Sequence, residues 1–309
     1  MRIFCTGVSG YIGGSVSAAM VAAGHNVSGL VRSQEAAAQV QTLGVEPVHG
    51  TLDDIDTLRR AAKQADAVIN AASADHEASA LAMLESLEGS GKAFIHTSGT
   101  SIVGTQAAGQ RVEDVFDEAT PLKPSGGRAA RVALNDRILS FQSRGVRSVI
   151  ICPSLIYGVG TGPAKHSIQV PWLIELAVKS GVAKHYGPGE NIWSNVHIDD
   201  LVELYRLALD AAPAGAFYFA ENGENSMKDI CEAINRKLGI DGGTVAMSLD
   251  EATREWGENG TQNTMGSNSR VRAVRARKEL GWRPHRPSLI DEIQTGCYAS
   301  SLAAGSASR

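Results

Sequence analysis

The sequence predicts an α/β protein built on a doubly wound parallel sheet, with a smaller domain toward the C-terminus. Between residues 1 and 152, short apolar runs alternate with helical stretches, as in a parallel sheet whose strands are joined by helices. A glycine-rich turn joins the first apolar run directly to the first helical stretch. After Gly158 the pattern changes, and this change predicts the second domain.

The N-terminal turn gives the clearest signal in the chain. Residues 1–6 predict a buried strand, residues 15–23 predict a helix, and Gly7, Gly10 and Gly13 join the two. Gly7 permits a tight turn, Gly10 lets the backbone approach a pyrophosphate, and Gly13 allows close packing of helix on strand. The helix start also offers N–H groups to phosphates. The turn therefore predicts dinucleotide binding of the Rossmann type, against the alternative that it serves packing alone.

The amino-acid sequence of this turn resembles that of a known superfamily. Thr6-Gly7-x-x-Gly10-x-x-Gly13 is similar to the short-chain dehydrogenase/reductase superfamily, in the extended and atypical branches that include epimerase/dehydratase-like proteins. The resemblance implies an NAD(P)-binding Rossmann domain over residues 1–157, to which residues 191–220 return. It implies a smaller substrate-binding region over 158–190 and 221–301. The terminal residues 302–309 are expected to form a flexible tail. The implied cofactor contacts in the turn are Gly7, Ser9, Gly10, Tyr11, Ile12 and Gly13.

The second predicted strand, residues 25–31, ends at Arg32. In a βαβ unit this strand end lies near the adenosine ribose, where an acidic residue binds the 2′-hydroxyl of NAD and an arginine accommodates the 2′-phosphate of NADP. No Asp or Glu stands there, and a guanidinium suits a phosphate geometrically. The sequence therefore favours NADP over NAD, although Arg32 could also be a solvated charge.

Two further strand ends are informative. Asp53 follows the third predicted strand, and Ala71 and Ala72 follow the fourth. The resemblance implies that Asp53 lies beside the adenine and that the two alanines let the ribose pass close to the backbone. Asp53 could instead cap the following helix, and the sequence leaves the two roles open.

The fifth predicted strand, residues 92–97, runs into Ser98. A hydroxyl here resembles the superfamily's catalytic serine or threonine, which binds the substrate carbonyl; a serine of a simple loop is the alternative. A D-E-x-T-P-x-x-P phrase at 117–124 then resembles the phrase that precedes a catalytic Y-x-x-x-K pair, but none of the six tyrosines has a lysine four residues later. The candidate positions are Gly127 and Arg131, or Arg128 and Val132.

The loss of this pair leaves the proton donor open. Arg131 could still hold the nicotinamide ribose and supply positive charge, but a guanidinium is a poor general acid; a solvated helix charge is the alternative. After the sixth predicted strand, a P-x-x-I-Y-G phrase at 153–158 resembles one that wraps the nicotinamide end. It implies that Pro153, Ser154 and Ile156 lie near the ring. Tyr157 is then a candidate for the substitute hydroxyl, but family members that keep the Y-x-x-x-K pair also have this tyrosine, which favours packing as its role.

The C-terminal half contains two further stretches that resemble phrases of the extended branch, at 187–201 and 269–284. Asp199 and Asp200 are expected to cap the helix that follows them. The sequence predicts that residues 158–163 are flexible and that a last helix spans residues 288–301. Residues that could line a substrate pocket, without a choice among them, are Lys165, His166 and Trp193.

Net charge, hydropathy and cysteine spacing argue against several classes of function. A net charge of −4 argues against a nucleic-acid partner, and no apolar run reaches membrane-spanning length. Four separated cysteines without a C-x-x-C pair indicate reduced thiols in a cytoplasmic protein and no metal site. The sequence thus predicts an NADP(H)-dependent oxidoreductase that acts on a carbonyl or alcohol of a small organic substrate, with a homodimer among the states it allows. The alternatives are a sugar-nucleotide epimerase or dehydratase and a non-catalytic NADP-sensing protein.

Overall fold

The computed structural model describes residues 1–122 and 127–299. The helices of this part of the chain are α1 (Tyr11–Ala22), α2 (Gln34–Gln41), α3 (Ile55–Gln64), α4 (Glu77–Glu85), α5 (Gly127–Ser140), α6 (Gln169–Ser180), α7 (Ile198–Ala211), α8 (Met227–Leu238), α9 (Leu249–Asn259), α10 (Val274–Leu280) and α11 (Leu289–Gln294). The strands are β1 (Arg2–Thr6), β2 (Asn26–Val31), β3 (Glu46–His49), β4 (Ala67–Asn70), β5 (Ala93–Thr97), β6 (Thr105–Gln106), β7 (Arg147–Pro153), β8 (Leu155–Tyr157), β9 (Lys184–Tyr186), β10 (Ile192–His197), β11 (Ala216–Ala220), β12 (Glu224–Ser226), β13 (Val245–Met247) and β14 (Ser267–Asn268).

The main sheet confirms the predicted α/β fold with a parallel, doubly wound sheet of the Rossmann type. Its strand order is β3-β2-β1-β4-β5-β7-β11, and every pair is parallel. The order reverses between β1 and β4, so a crevice opens where the carboxyl ends of these strands diverge. Helix α1 packs on α7, and α3 packs on α4.

Two hydrophobic cores divide the molecule. The larger core surrounds the main sheet, and residues 196–220 join it through α7 and β11. The smaller core is built largely from α6, α8, α9 and α11. Val271, Ala276 and Trp282 pack in the larger core, although they lie in the stretch predicted to form the smaller region. The boundaries between the domains stay predictions.

A three-stranded sheet of order β12-β10-β8 bridges the two cores, and the sequence analysis did not predict it. Strand β8 follows β7 after the single residue Ser154, whose backbone N–H and side-chain hydroxyl both donate to the carbonyl of Ala220. Strand β8 then runs parallel to β10, with Tyr157 paired to His197. A three-residue strand that leaves one sheet for another carries no periodicity long enough to recognise.

The D-E-x-T-P phrase has a structural role. The carboxylate of Glu118 accepts hydrogen bonds from the backbone N–H groups of Phe219, Val274 and Arg275, at 3.1 to 3.2 Å. It thereby ties the connection after β6 to the sheet edge and to the start of α10. The last two residues of the full phrase, Lys123 and Pro124, lie outside the described residues.

Three further predictions concern the C-terminal half of the chain. Within residues 158–163, which are predicted to be flexible, Gly162 lies against α1, since a Cβ built on it would lie 2.5 Å from the Cα of Gly14. The predicted last helix over 288–301 is shorter within the described residues, where α11 ends at Gln294. The predicted tail at 302–309 lies beyond the described residues. None of the helices within the described residues is long and apolar enough to cross a membrane.

Candidate active site

The glycine turn forms a cradle at the crevice. Gly7 has φ +77°, and a Cβ built on it would lie 2.7 Å from the carbonyl oxygen of Ala71. A Cβ on Gly13 would overlap the carbonyl oxygen of Gly7. Gly10 is the N-cap of α1 and contributes no side-chain cap, which leaves the first N–H groups of the helix facing the crevice. Glycine is therefore required at Gly7 for conformation and at Gly13 for close approach.

A cavity of about 520 Å³ lies over this cradle. Its walls come from the first turn and from the ends of β2, β3 and β4. Its lining residues are Gly7, Ser9, Gly10, Leu30, Arg32, Thr51, Leu52, Asp53, Ala71, Ala72 and His76. Arg32 is exposed, and no carboxylate among the described residues forms an ion pair with it. A dinucleotide fits these groups, because the cradle has room for a pyrophosphate and the wall carries a cation suited to a phosphate.

Asp53 lines this cavity rather than capping a helix. Its side chain is 88% exposed, and Oδ1 lies 3.2 Å from Nε2 of His76. The N-cap position of α3 belongs to the next residue, Asp54, whose Oδ2 accepts a hydrogen bond from the N–H of Thr51 at 2.6 Å. Asp54 thus occupies the capping position, which is one of the two roles that the sequence left open for Asp53.

Ser98 follows β5 and is held by a residue that the sequence analysis missed. Its backbone N–H donates to the carbonyl of Ile151 at 2.8 Å, and its Oγ accepts from Nδ2 of Asn135 at 3.0 Å. Asn135 is 2% exposed and Ser98 is 6% exposed. The thiol of Cys152 lies beside Ser98, and burial raises its pKa. The signal that could have identified Asn135 is its position on α5 four residues after Arg131, on the same helix face.

Arg131 spans the region between two loops. Its Nε and Nη2 donate to the two carboxylate oxygens of Asp75 at 2.7 and 2.5 Å, and its Nη1 donates to Oγ of Ser101 at 2.9 Å. The guanidinium beside Asp75 lowers the pKa of that carboxyl. Arg131 is therefore not a solvated helix charge. Val132, the other candidate for the lysine position, packs against the larger core.

Tyr157 is turned away from the crevice. Its side chain is fully buried in the smaller core, its hydroxyl donates to the carbonyl of Pro287 at 2.8 Å, and its ring packs edge-on against His197. Burial raises the pKa of the hydroxyl. This geometry supports packing, and it does not support the predicted alternative of Tyr157 as a substitute proton donor.

The other residues predicted at the nicotinamide end lie around β7 and β8. Pro153 and Ser154 are buried, whereas Ile156 is partly exposed and packs against the larger core. The Tyr11 hydroxyl donates to the carbonyl of Gly158 at 2.9 Å and so links the cradle helix to the loop after β8. Ile12 is half-buried against the larger core.

A buried polar chain supports the carboxyl ends of β1, β4 and β5. The hydroxyl of Thr6 donates to Oδ1 of Asn70 at 2.6 Å, and Nδ2 of Asn70 is hydrogen-bonded to Nδ1 of His96 at 3.0 Å. The Thr6 oxygen also accepts from the N–H of Ala72 at 3.2 Å. Burial lowers the pKa of His96 to about 4, so the ring is neutral at pH 7. The sequence gives no signal for this hydrogen-bonded series, because its members are distant in sequence.

A second cavity, of about 690 Å³, begins at Ile102, the residue after Ser101. Residues 102–106, the connection at 114–122 and Arg128 on α5 line it. The Arg128 guanidinium donates from Nη1 to the carbonyl of Gly104 and from Nη2 to Oδ1 of Asn263 at 3.1 Å. Partial burial lowers the pKa of Arg128.

The three residues that the sequence suggested for a substrate pocket, Lys165, His166 and Trp193, line neither of these two cavities. Lys165 and His166 are exposed on the loop before α6. Trp193 is buried and donates from Nε1 to the carbonyl of Ser267. His197, rather than Asp199 or Asp200, is the N-cap residue of α7, since its Nδ1 accepts from the N–H of Asp199. Within the described ranges, no group of three or more His, Cys, Asp or Glu side chains is placed to hold a metal.

Comparison with known proteins identifies the chain's relatives. The model of the NAD dependent epimerase/dehydratase family matches residues 3–218. The oxidase ucsJ of Acremonium sp is 31% identical, over 95% of this chain and 95% of that protein. The 4-hydroxy-2-methyl-3-oxo-4-farnesyl-3,4-dihydroquinoline-1-oxide ketoreductase of Stigmatella aurantiaca is also 31% identical, over 72% of this chain and 69% of that protein.

The fold also matches a solved structure. The dTDP-glucose 4,6-dehydratase of Bacillus anthracis, determined in complex with NAD, superposes with a TM-score of 0.76. The match covers 98% of this chain and 96% of that one at 17% identity. At this identity the likeness establishes the fold alone.

Proposed function

Since the chain belongs to the NAD dependent epimerase/dehydratase family and is an NAD(P)-dependent oxidoreductase or epimerase, we propose that it is an NADP(H)-dependent oxidoreductase acting on a carbonyl or alcohol of a small organic substrate. The observation that carries the choice of NADP is Arg32, an exposed guanidinium without a carboxylate partner among the described residues, on the wall of the cradle cavity. Two relatives with names of redox enzymes support the choice of an oxidoreductase.

The proposed cofactor site uses the cradle and its walls. The N–H groups at the start of α1 and the room at Gly10 would hold the pyrophosphate, and Arg32 would bind the 2′-phosphate. Asp53 would lie beside the adenine, and Ala71 and Ala72 would allow the ribose to pass. The nicotinamide end would reach Ser98 after β5, Pro153 at the end of β7, Ser154, and Ile156 in β8.

The proposed chemistry needs a hydride and a proton. When bound, the reduced cofactor supplies the hydride that converts the carbonyl carbon into that of an alcohol. Ser98 donates a hydrogen bond to the carbonyl oxygen, while Asn135 holds the Ser98 oxygen in place. Water supplies the proton, because the hydroxyl of Tyr157 is enclosed. Arg131 remains the candidate for holding the ribose, and its bonds to Asp75 and Ser101 would fix the loops on either side.

The first experiment is a fluorescence titration of the purified protein with NADPH and NADH. We expect NADPH to bind more tightly, and we expect Arg32→Ala to weaken NADPH binding by roughly 10-fold to 100-fold, the range of a lost hydrogen bond to a charged group. NADH binding should be little changed. The matched control is Arg236→Ala on α8, an exposed arginine far from the cavity.

Two outcomes would redirect the proposal. Equal binding of NADH and NADPH by the wild type would remove the reason for choosing NADP and would favour the epimerase alternative, which retains NAD. Preferential NADPH binding without NADPH consumption on a panel of aldehydes and ketones would favour a non-catalytic NADP-sensing protein.

A further inference from the structure

The larger cavity has an unusual cation on its wall. Helix α5 carries three arginines, and two of them pair with carboxylates: Arg131 with Asp75 and Arg137 with Glu77. Arg128, which is partly buried, has no carboxylate partner among the described residues. The acidic side chain that shares the cavity, Asp114, is exposed and forms no ion pair with it.

The guanidinium of Arg128 is nevertheless held firmly. Its acceptors are the carbonyl of Gly104 and Oδ1 of Asn263, both neutral. The Asn263 oxygen also accepts from Nε2 of Gln106 at 2.8 Å, and Asn263 belongs to the helical turn Gly260–Met265 near the smaller core. Of five N–H donors on a guanidinium, two are therefore used by acceptors in the described part of the chain.

A partly desolvated cation without a counterion is costly unless a ligand supplies the missing charge. The remaining lining of the cavity includes the apolar side chains of Ile102, Val103, Phe116 and Leu122. A volume of about 690 Å³ suits a small organic molecule. The cavity thus combines one anchored cation with an apolar wall.

We infer that Arg128 binds an anionic group of the substrate, and that the substrate is an oxo acid whose apolar body packs on Ile102, Val103, Phe116 and Leu122. The inference rests on the proposed function in assigning the anion to the substrate of a carbonyl reduction. It adds the chemical class of that substrate. Arg128 is the binding residue for the anion, and Ser98 is the residue for the carbonyl.

The test separates binding from turnover. Calorimetric titration with hexanoate, hexyl phosphate and hexanamide is performed on the wild type, Arg128→Gln, Arg128→Lys and the control Arg137→Gln. We expect hexanoate to bind the wild type at least about tenfold more tightly than hexanamide, and Arg128→Gln to abolish this preference. Arg128→Lys, which keeps the charge, should retain part of the preference and guards against loss of folding in Arg128→Gln. The Arg137→Gln protein should match the wild type.

Each outcome has a definite meaning. Tighter binding of hexyl phosphate than of hexanoate, lost in Arg128→Gln, would keep the anion site but overturn the carboxylate. Equal binding of hexanoate and hexanamide to the wild type, or an unchanged preference in Arg128→Gln, would overturn the inference.

Turnover distinguishes this inference from the proposed function. NADPH consumption with 5-oxohexanoate is compared with that on its methyl ester, and we expect the KM of the acid to be at least about tenfold lower. Consumption on both at equal KM would leave the reductase intact and overturn the anion site. Anion binding without consumption on either would overturn the reductase and leave the anion site.

Discussion

Arg131 on α5 clasps the carboxylate of Asp75 with two hydrogen bonds, Nε to Oδ1 at 2.7 Å and Nη2 to Oδ2 at 2.5 Å. Asp75 lies one residue before His76, which lines the cavity over the glycine cradle, and Ser101, the other partner of Arg131, precedes Ile102 in the larger cavity. The guanidinium therefore connects the walls of both cavities. The charge of Arg131 is thus already paired within the protein.

This pair makes a pH-dependent contribution to stability. Because Arg131 lowers the folded-state pKa of Asp75 below its ordinary value of 3.8, the contribution is fully present above pH 3.8 and is lost as the pH falls through the lowered value. The carboxylate is 59% exposed, so we expect Asp75→Asn to lower the free energy of unfolding by about 0.5 kcal/mol or less at pH 7. Urea unfolding at pH 7 and pH 3 measures it. A difference from the wild type that grows on acidification would contradict the prediction.

The Ser98–Asn135 pair should control turnover. If Ser98 polarises the carbonyl, Ser98→Ala should lower kcat by roughly 10-fold to 100-fold with little change in NADPH affinity. Asn135→Leu should lower kcat to a lesser extent, because the serine hydroxyl remains but loses its positioning bond. Steady-state kinetics on the best carbonyl substrate measures both. Ser140→Ala, at the exposed end of α5, is the control. Full activity in Ser98→Ala would remove Ser98 from the chemistry.

Tyr157→Phe distinguishes packing from catalysis. The hydroxyl of the buried Tyr157 donates to the carbonyl of Pro287, so its removal deletes one hydrogen bond. We expect the variant to lose about 1 kcal/mol of unfolding free energy while kcat stays within about twofold. Thermal unfolding and kinetics on the same preparation provide the two readings. A large fall in kcat at unchanged stability would restore Tyr157 as the proton donor.

The buried ring of His96 should destabilise the protein in mild acid. Its folded-state pKa of about 4 lies below the ordinary value of 6.5, so the unfolded chain binds the additional proton between these values and stability falls as the pH drops. From pH 7.5 to pH 5 this loss is at most about 2 kcal/mol. His96→Gln should reduce the loss, and His49→Gln, at an exposed position, should not. Equal pH dependence in wild type and His96→Gln would contradict the assignment.

Gly13→Ala tests the cradle. A Cβ at this position would overlap the Gly7 carbonyl, so α1 must move away from the turn. We expect a loss of about 1 to 3 kcal/mol of unfolding free energy and weaker NADPH binding. The matched control is Gly243→Ala, because no atom lies within 4 Å of a Cβ built there. NADPH affinity equal to that of the wild type would show that the close approach at Gly13 does not shape the site.

The fold could be predicted because its signals are local. The strand, glycine turn and helix at residues 1–22 are contiguous, and each βα unit repeats a pattern that a short window contains. Arg32 and Asp53 could be placed at the cavity for the same reason, since the carboxyl end of every parallel strand faces one edge of the sheet.

What the tertiary structure decided is the direction and the partners of individual side chains. The phrase around Tyr157 gave no indication that its hydroxyl points to Pro287, because Pro287 is 130 residues away. The same holds for the contacts of Asn135 with Ser98, of Arg131 with Asp75 and of Arg128 with Asn263. Sequence alone thus determined the sheet and the edge at which the cavity over the glycine cradle lies, because backbone periodicity is a short-range property. The active-site chemistry depends on contacts between distant segments, which exist only after the chain has folded.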